Sequence, residues 1–293
     1  MPTRSAVRLG VALLSAAAPV MAESAPSGSR RHVTTSLVAE REAIRPGHAL
    51  LVGIRLRMEP GWHTYWRNPG DSGLPTKVLW QLPQGFAAGE IQWPYPNRFR
   101  TGPLVSYGYE REVLLPVELR VPASLAAREV RLAARVDWLE CQEICLPGKA
   151  ELSLVLPVRA AAAPSPEAAL FAQTRERLPA KDPAWRFEAS VTREAIGLTA
   201  RPPRRLDIRN AYFYPVTPRL VDYSRPQALA RSGGAWRLEL VRDPNGAAEA
   251  SRLAGVLVLA MPSDAVAIEV DVPIAPRAAG PVAFWSAPSQ EKK

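Results

Sequence analysis

Apolar and polar side chains alternate one by one through much of this chain, and a step of two is the signature of half-buried strands. Val52, Ile54, Leu56 and Met58 share one phase, while Gly53, Arg55 and Arg57 take the other. The same step recurs in Val113, Leu115, Val117, Leu119 and Val121, and again in Val130, Leu132, Ala134, Val136 and Trp138. A return strand follows through Leu152, Leu154, Leu156 and Val158, and Lys77 to Trp80 makes a shorter one. Thirty prolines among 293 residues point the same way. Proline breaks helices but suits the turns between short strands. About seven short strands in each half, with turns between them, predict an all-β chain of two immunoglobulin-like β-sandwich domains.

The punctuation of the chain sets the expected boundaries. Residues 1–22 read as an export signal: Arg4 and Arg8 precede a short apolar run from Leu9 to Val20, and small residues end at Ala22. No later segment approaches the roughly 20 apolar residues that a spanning helix needs. The product is therefore expected to be exported and not itself membrane-spanning. The first domain is expected at residues 32–159. An Ala/Pro linker with a short helix follows at 160–184, in which Ser165 caps the helix and Pro166 opens it. A second sandwich is expected at 185–278 and a disordered tail at 279–293. In that second part Trp236, Leu238 and Leu240, then Val256 and Val258, then Ile268, Val270, Val272 and Ile274 mark strands. It contains neither cysteine nor histidine.

Two local segments lack the alternation. Asn68-Pro69-Gly70-Asp71 has the composition of a turn, and Asn97 to Gly108 reads as a loop holding Phe99 and Tyr107. The formal charge of +9 is spread along the chain. With no basic arm and no aromatic platform, a nucleic-acid partner is not expected.

Chemistry concentrates in Val136-Asp-Trp-Leu-Glu-Cys-Gln-Glu-Ile-Cys-Leu-Pro-Gly148, which holds the only two cysteines, Cys141 and Cys145. Along a straight strand residues four apart lie about 13 Å apart, whereas a disulfide needs Cα atoms within about 4.4–6.8 Å. A bond between them requires the chain to turn through Gln142-Glu143-Ile144, in a three-residue hairpin loop or one helical turn. So small a ring removes little entropy from the unfolded chain. Three readings stay open: a redox-active dithiol, a Cu(I) site on two thiolates, and a structural bridge. Carrying the strand phase forward puts Cys141 on the outward side. Glu140 and Glu143 would oppose thiol ionisation, and Lys149 would favour it. Zinc is disfavoured, because it asks for four ligands and only His32, His48 and His63 could join the sulfurs. His63, set among Trp62, Tyr65 and Trp66, is the histidine nearest this chemistry in character. His63, Asp71 and Ser72 have no spacing that suggests a hydrolytic triad.

Five pieces occur in a fixed order: Gly61-Trp-His-Thr-Tyr-Trp-Arg-Asn-Pro-Gly-Asp-Ser-Gly73, Ile91-Gln-Trp-Pro-Tyr-Pro96, Tyr107-Gly-Tyr109, Leu114-Leu-Pro-Val117, and Trp138-Leu-Glu-Cys-Gln-Glu-Ile-Cys-Leu-Pro-Gly148. Together they resemble the N-terminal periplasmic domain of the thiol:disulfide interchange protein DsbD family, closest to its ScsB-like branch. The resemblance covers most of residues 32–158. It implies an immunoglobulin-like periplasmic domain with protein-disulfide reductase activity and no cofactor beyond a redox-active disulfide. Such a domain takes electrons from a membrane-embedded relay of the DsbD type. It passes them to periplasmic isomerases or to thioredoxin-like proteins of cytochrome c maturation or copper stress. By the same resemblance Cys145 forms the mixed disulfide and Cys141 resolves it. Phe99 matches a shielding cap-loop phenylalanine, with Tyr107 and Tyr109 in the same stretch, and His63, Trp138 and Glu143 are candidate supports. This chain departs from the family in its closer cysteines and in a basic cap, Arg98 and Arg100, where the family is acidic. The relay and a thioredoxin-like domain are not in the sequence, so a separate membrane protein is expected to donate electrons.

Overall fold

The computed structural model describes residues 31–246 and 250–276. The signal expected at 1–22 and the tail expected at 279–293 lie outside the described residues. In chain order the first strands are β1 (Val33–Ala39), β2 (Leu50–Met58), β3 (His63–Gly70), β4 (Lys77–Gln81) and β5 (Ala87–Ile91). Then come β6 (Asn97–Thr101), β7 (Leu104–Glu110), β8 (Glu112–Arg120), β9 (Glu129–Cys141) and β10 (Cys145–Pro157). The helix α1 (Ala168–Glu176) separates these from β11 (Arg186–Val191), β12 (Ala195–Arg201), β13 (Asn210–Pro215) and β14 (Ala228–Ser232). The last three are β15 (Ala235–Val241), β16 (Arg252–Ala260) and β17 (Ala265–Pro276). No helix among the described residues is long and apolar enough to cross a membrane.

The strands form three sheets. One has the order β1-β2-β8-β5; the second has β10-β9-β3-β7-β6, with β4 also paired to β9; the third has β13-β16-β17-β11-β12-β15-β14. The first two are a sandwich built from the predicted alternation. Val52, Ile54 and Leu56 meet Val113, Leu115, Val117 and Leu119 across one sheet, and Val130, Leu132, Val136 and Trp138 fill the other side of the same core. Each such side chain stabilises the fold by about 1.5–3 kcal/mol when fully buried. Leu114, on the opposite phase, is also buried, because α1 packs against β8 on that face.

Several elements differ from the sequence expectation, each for a visible reason. The segment read as a loop from Asn97 to Gly108 is the hairpin β6–β7, turning at Gly102 with φ +58°. Phe99 is the only large apolar residue of β6, so an exposed edge strand left no alternation to read. Asn68-Pro69-Gly70 is not a turn but the end of β3. There the pairing with β7 jumps from Tyr65–Gly108 to Gly70–Ser106, a bulge. Asn68 is fully buried in that bulge. Its amide donates to the Pro215 carbonyl at 2.8 Å and to the Tyr223 hydroxyl at 3.3 Å, while its Oδ1 accepts from Gly70 N at 3.1 Å. The helix starts later than expected, at Ala168. Ser165 Oγ accepts from Glu167 N at 3.1 Å in the preceding turn and itself donates to Ala39 O, which ties the linker to β1. In β16 the buried phase runs through Leu253, Leu257 and Leu259, joined by Val256, and Val258 is only half-buried.

Candidate functional site

The cysteines end one strand and begin the next. Cys141 closes β9 and Cys145 opens β10, and the antiparallel register pairs them directly before running without a slip to Glu129 and Pro157. Gln142-Glu143-Ile144 is thus a three-residue hairpin loop, closed by a Gln142 N–H to Ile144 carbonyl bond of 3.2 Å. The Cα atoms are 4.2 Å apart and the sulfurs are bonded. That spacing is near the ~4.5 Å of a directly opposed, non-hydrogen-bonded pair, so the register alone brings the sulfurs together.

The two cysteines are not equivalent. Cys141 is 2% exposed, whereas Cys145 lies open to solvent, as do Gln142, Glu143 and Ile144. The outward phase expected for Cys141 is kept, since it pairs with His63 of β3 on one side and Cys145 on the other. The expected exposure is not kept, because neighbouring strands and their side chains enclose that position. His63 pairs in turn with Glu110 of β7, so one row across the sheet reads Cys145, Cys141, His63, Glu110. Residues opposite one another in such a row put their Cβ atoms about 4.5–5.5 Å apart on the same face.

Aromatic rings enclose the inner end of that row. His63 is buried, stacked on Phe99 with ring centres 4.6 Å apart and set edge-on to Tyr65 at 5.2 Å. Burial pushes the His63 imidazole below its ordinary pKa of 6.5, with Glu110 opposing, so the ring favours its neutral form. The Tyr65 hydroxyl lies 3.5 Å from Cys145 Sγ. Its ring packs flat on Gly73, where an added Cβ would fall 2.2 Å from the ring. Burial pushes the Tyr65 phenol up, partly offset by hydrogen bonding to Ser72.

Phe99, expected in a cap loop over the cysteine pair, lies on the strand β6 and stacks on His63, the neighbour of Cys141 in the row, while Cys145 is exposed. Tyr107 and Tyr109 do not join it. Strand alternation turns both to the opposite, core face of β7, where Tyr109 donates to the Pro94 carbonyl at 2.7 Å and Tyr107 meets the Tyr212 hydroxyl at 3.0 Å. Trp138 is also on the core face. Its indole covers Gly148, where a Cβ would fall 2.0 Å from the ring, which accounts for the glycine after Leu146-Pro147. Glu143 is exposed in the loop. Asp71 accepts from Val105 N at 2.7 Å, and Ser72, besides its hydrogen bond to Tyr65, meets Ser106 at 3.2 Å.

Sequence reasoning misjudged Glu140. It continues the core phase after Trp138 and is 1% exposed, so it faces away from the thiols. One carboxylate oxygen accepts from Trp138 Nε1 at 2.9 Å and the other from His32 N at 3.0 Å. The phase itself was the signal that would have placed it. Among the described residues no group of three or more His, Cys, Asp or Glu is arranged to hold a metal ion.

Comparison with known proteins bears on the same segment. Residues 34–157 match the family described as thiol:disulfide interchange protein DsbD, N-terminal. The crystal structure of the N-terminal periplasmic domain of ScsB from Proteus mirabilis superposes with a TM-score of 0.59 at 18% identity, over 86% of this chain and 96% of that one. A protein of unknown function from Porphyromonas gingivalis W83 shares 11% identity over 83% of this chain and all 100% of its own, with a TM-score of only 0.27. No curated protein matches the chain. The ScsB likeness establishes the fold, including the all-β character of the second half. Residues 34–157, with a bonded cysteine pair at the tip of the β9–β10 hairpin, are thus similar to the N-terminal domain of DsbD.

Proposed function

We propose that this chain is a periplasmic thiol–disulfide carrier that reduces disulfides in exported proteins through Cys141 and Cys145. The observation that carries the reading is the asymmetry of the pair, one sulfur enclosed and its partner at an exposed loop end. In the reduced form the Cys145 thiolate attacks a partner disulfide. A mixed disulfide forms and one partner sulfur leaves as a thiolate. The Cys141 thiolate, held opposite by the register, then attacks Cys145 Sγ. The internal disulfide closes, the second partner sulfur is released, and two electrons have moved to the partner. A dithiol of a membrane-embedded relay reverses the sequence and recharges the pair. Thioredoxin-like or isomerase proteins of the periplasm are the acceptors this chemistry suits.

The test is the reduction potential of the pair together with trapping. A carrier equilibrates with other protein dithiols, and Cys141→Ala accumulates a mixed disulfide through Cys145. A potential below about −300 mV with no trapped partner would mark a structural bridge and overturn the proposal. Stoichiometric Cu(I) uptake by the reduced pair, measured in the same samples, would instead favour metal handling.

A further inference from the structure

The strand β6 looks two ways. Phe99 pairs with Ser106 and faces the cysteine side, where it stacks on His63. Its neighbours Arg98 and Arg100 point to the opposite face, toward the sheet that contains β13. The Arg98 guanidinium sits 4.6 Å from the centre of the Tyr212 ring, and Arg100 donates to the Ser224 carbonyl at 3.3 Å. Across the hairpin, Tyr107 pairs with Arg98. The Tyr107 ring is edge-on to Tyr212, Tyr214 and Tyr223 with centroids 5.1–6.2 Å away, and its hydroxyl meets that of Tyr212 at 3.0 Å. The hairpin is thus gripped from behind by residues more than a hundred positions later in the chain.

We propose that the seven-stranded sheet is a brace for the β6–β7 hairpin, with Arg98, Arg100 and Tyr212 as positioning residues. The brace holds Phe99 over His63 and thereby keeps Cys141 enclosed, so that exchange is confined to Cys145. This assigns the second half of the chain a part in choosing which sulfur reacts. A short edge strand with one large apolar side chain has little to hold it in place by itself. The grip therefore decides how often Phe99 swings clear. The inference rests on the thiol-exchange reading for its purpose but not for its test.

The test measures iodoacetamide labelling of Cys141 in a Cys145→Ser background and of Cys145 in a Cys141→Ser background. Each is carried out with and without the pair Arg98→Gln and Tyr212→Phe, and with Phe99→Ala as the positive control. Loss of one cation–π contact and one hydrogen bond is expected to raise Cys141 labelling about fivefold while Cys145 labelling stays unchanged. Phe99→Ala should raise Cys141 labelling at least as much. Equal rises at both cysteines would mean general loosening and would overturn the brace. So would an unchanged Cys141 rate in the brace variant, whether or not Phe99→Ala speeds it. If labelling follows the expectation but the wild-type pair fails to exchange with any protein dithiol, the proposed function falls while the brace is supported.

Discussion

Replacing Tyr65 by Phe removes one oxygen and tests whether the site prepares its outer sulfur for attack. The hydroxyl is 3.5 Å from Cys145 Sγ and the ring is almost fully buried against Gly73, so the substitution keeps the packing. Because burial raises the phenol's pKa, Tyr65 stays a proton donor through neutral pH. Once the pair is reduced, that O–H can donate to the Cys145 thiolate, the form that reacts. A hydrogen bond to a charged group contributes about 1.5–3 kcal/mol when well formed. The contact is long and Cys145 is open to water, so about 1 kcal/mol is the reasonable share, roughly a fivefold change in thiolate population. The assay is the pH dependence of Cys145 alkylation in the Cys141→Ser background. Tyr65→Phe should slow alkylation about fivefold near pH 7 and move the rate–pH curve to higher pH. The two curves should converge where both thiols are fully ionised. Superimposable curves would refute the hydrogen bond's role, and a constant offset at every pH would show a steric effect in its place.

Two further outcomes follow from the core beneath the site. Gly148→Ala would place a Cβ 2.0–2.4 Å from the Trp138 ring atoms and push the indole off Glu140. Overpacking of about 1–3 kcal/mol and the lost bond to a buried carboxylate together predict a loss of about 2–5 kcal/mol in urea unfolding, and a loss under about 0.5 kcal/mol would contradict it. His63 is held below its ordinary pKa by burial, so between its folded and unfolded pKa values the unfolded chain binds the extra proton. Its contribution to stability is complete above the unfolded value and is lost as pH falls below it. The facing groups are Glu110, which opposes the shift, and Tyr65. The unfolding midpoint of wild type should fall relative to that of His63→Phe as pH is lowered from about 7.5 toward 5. Parallel profiles would show that His63 does not titrate in this range.

How legible the fold was depended on whether a strand buries one regular apolar face. β2, β8, β9 and β10 bury one face in a single sandwich, and their period of two was plain. The C-x-x-x-C spacing required a turn, and the hairpin supplied it. β6 was illegible because an edge strand with Asn97, Arg98, Arg100 and Thr101 shows no apolar phase, although it carries Phe99. Asn68-Pro69-Gly70 was misread because the groups that satisfy Asn68 come from Pro215 and Tyr223, far along the chain. The burial of Cys141 was likewise hidden, since its enclosure comes from the row shared with His63 and not from its own strand.

The buried Asn68 and the Tyr107 cluster bear on how the molecule is made. As the polypeptide emerges from its N-terminus, the first sandwich is synthesised well before β13 exists. Until then Trp66 and Tyr107 lack the rings of Tyr214 and Tyr223, and the Asn68 amide lacks its acceptor. A nascent chain paused near residue 160 would show water an aromatic patch on the face of the sheet opposite its cysteines, a surface prone to sticking. Quality control during biogenesis would therefore be most demanding in the interval before residues 212–223 arrive to close that patch.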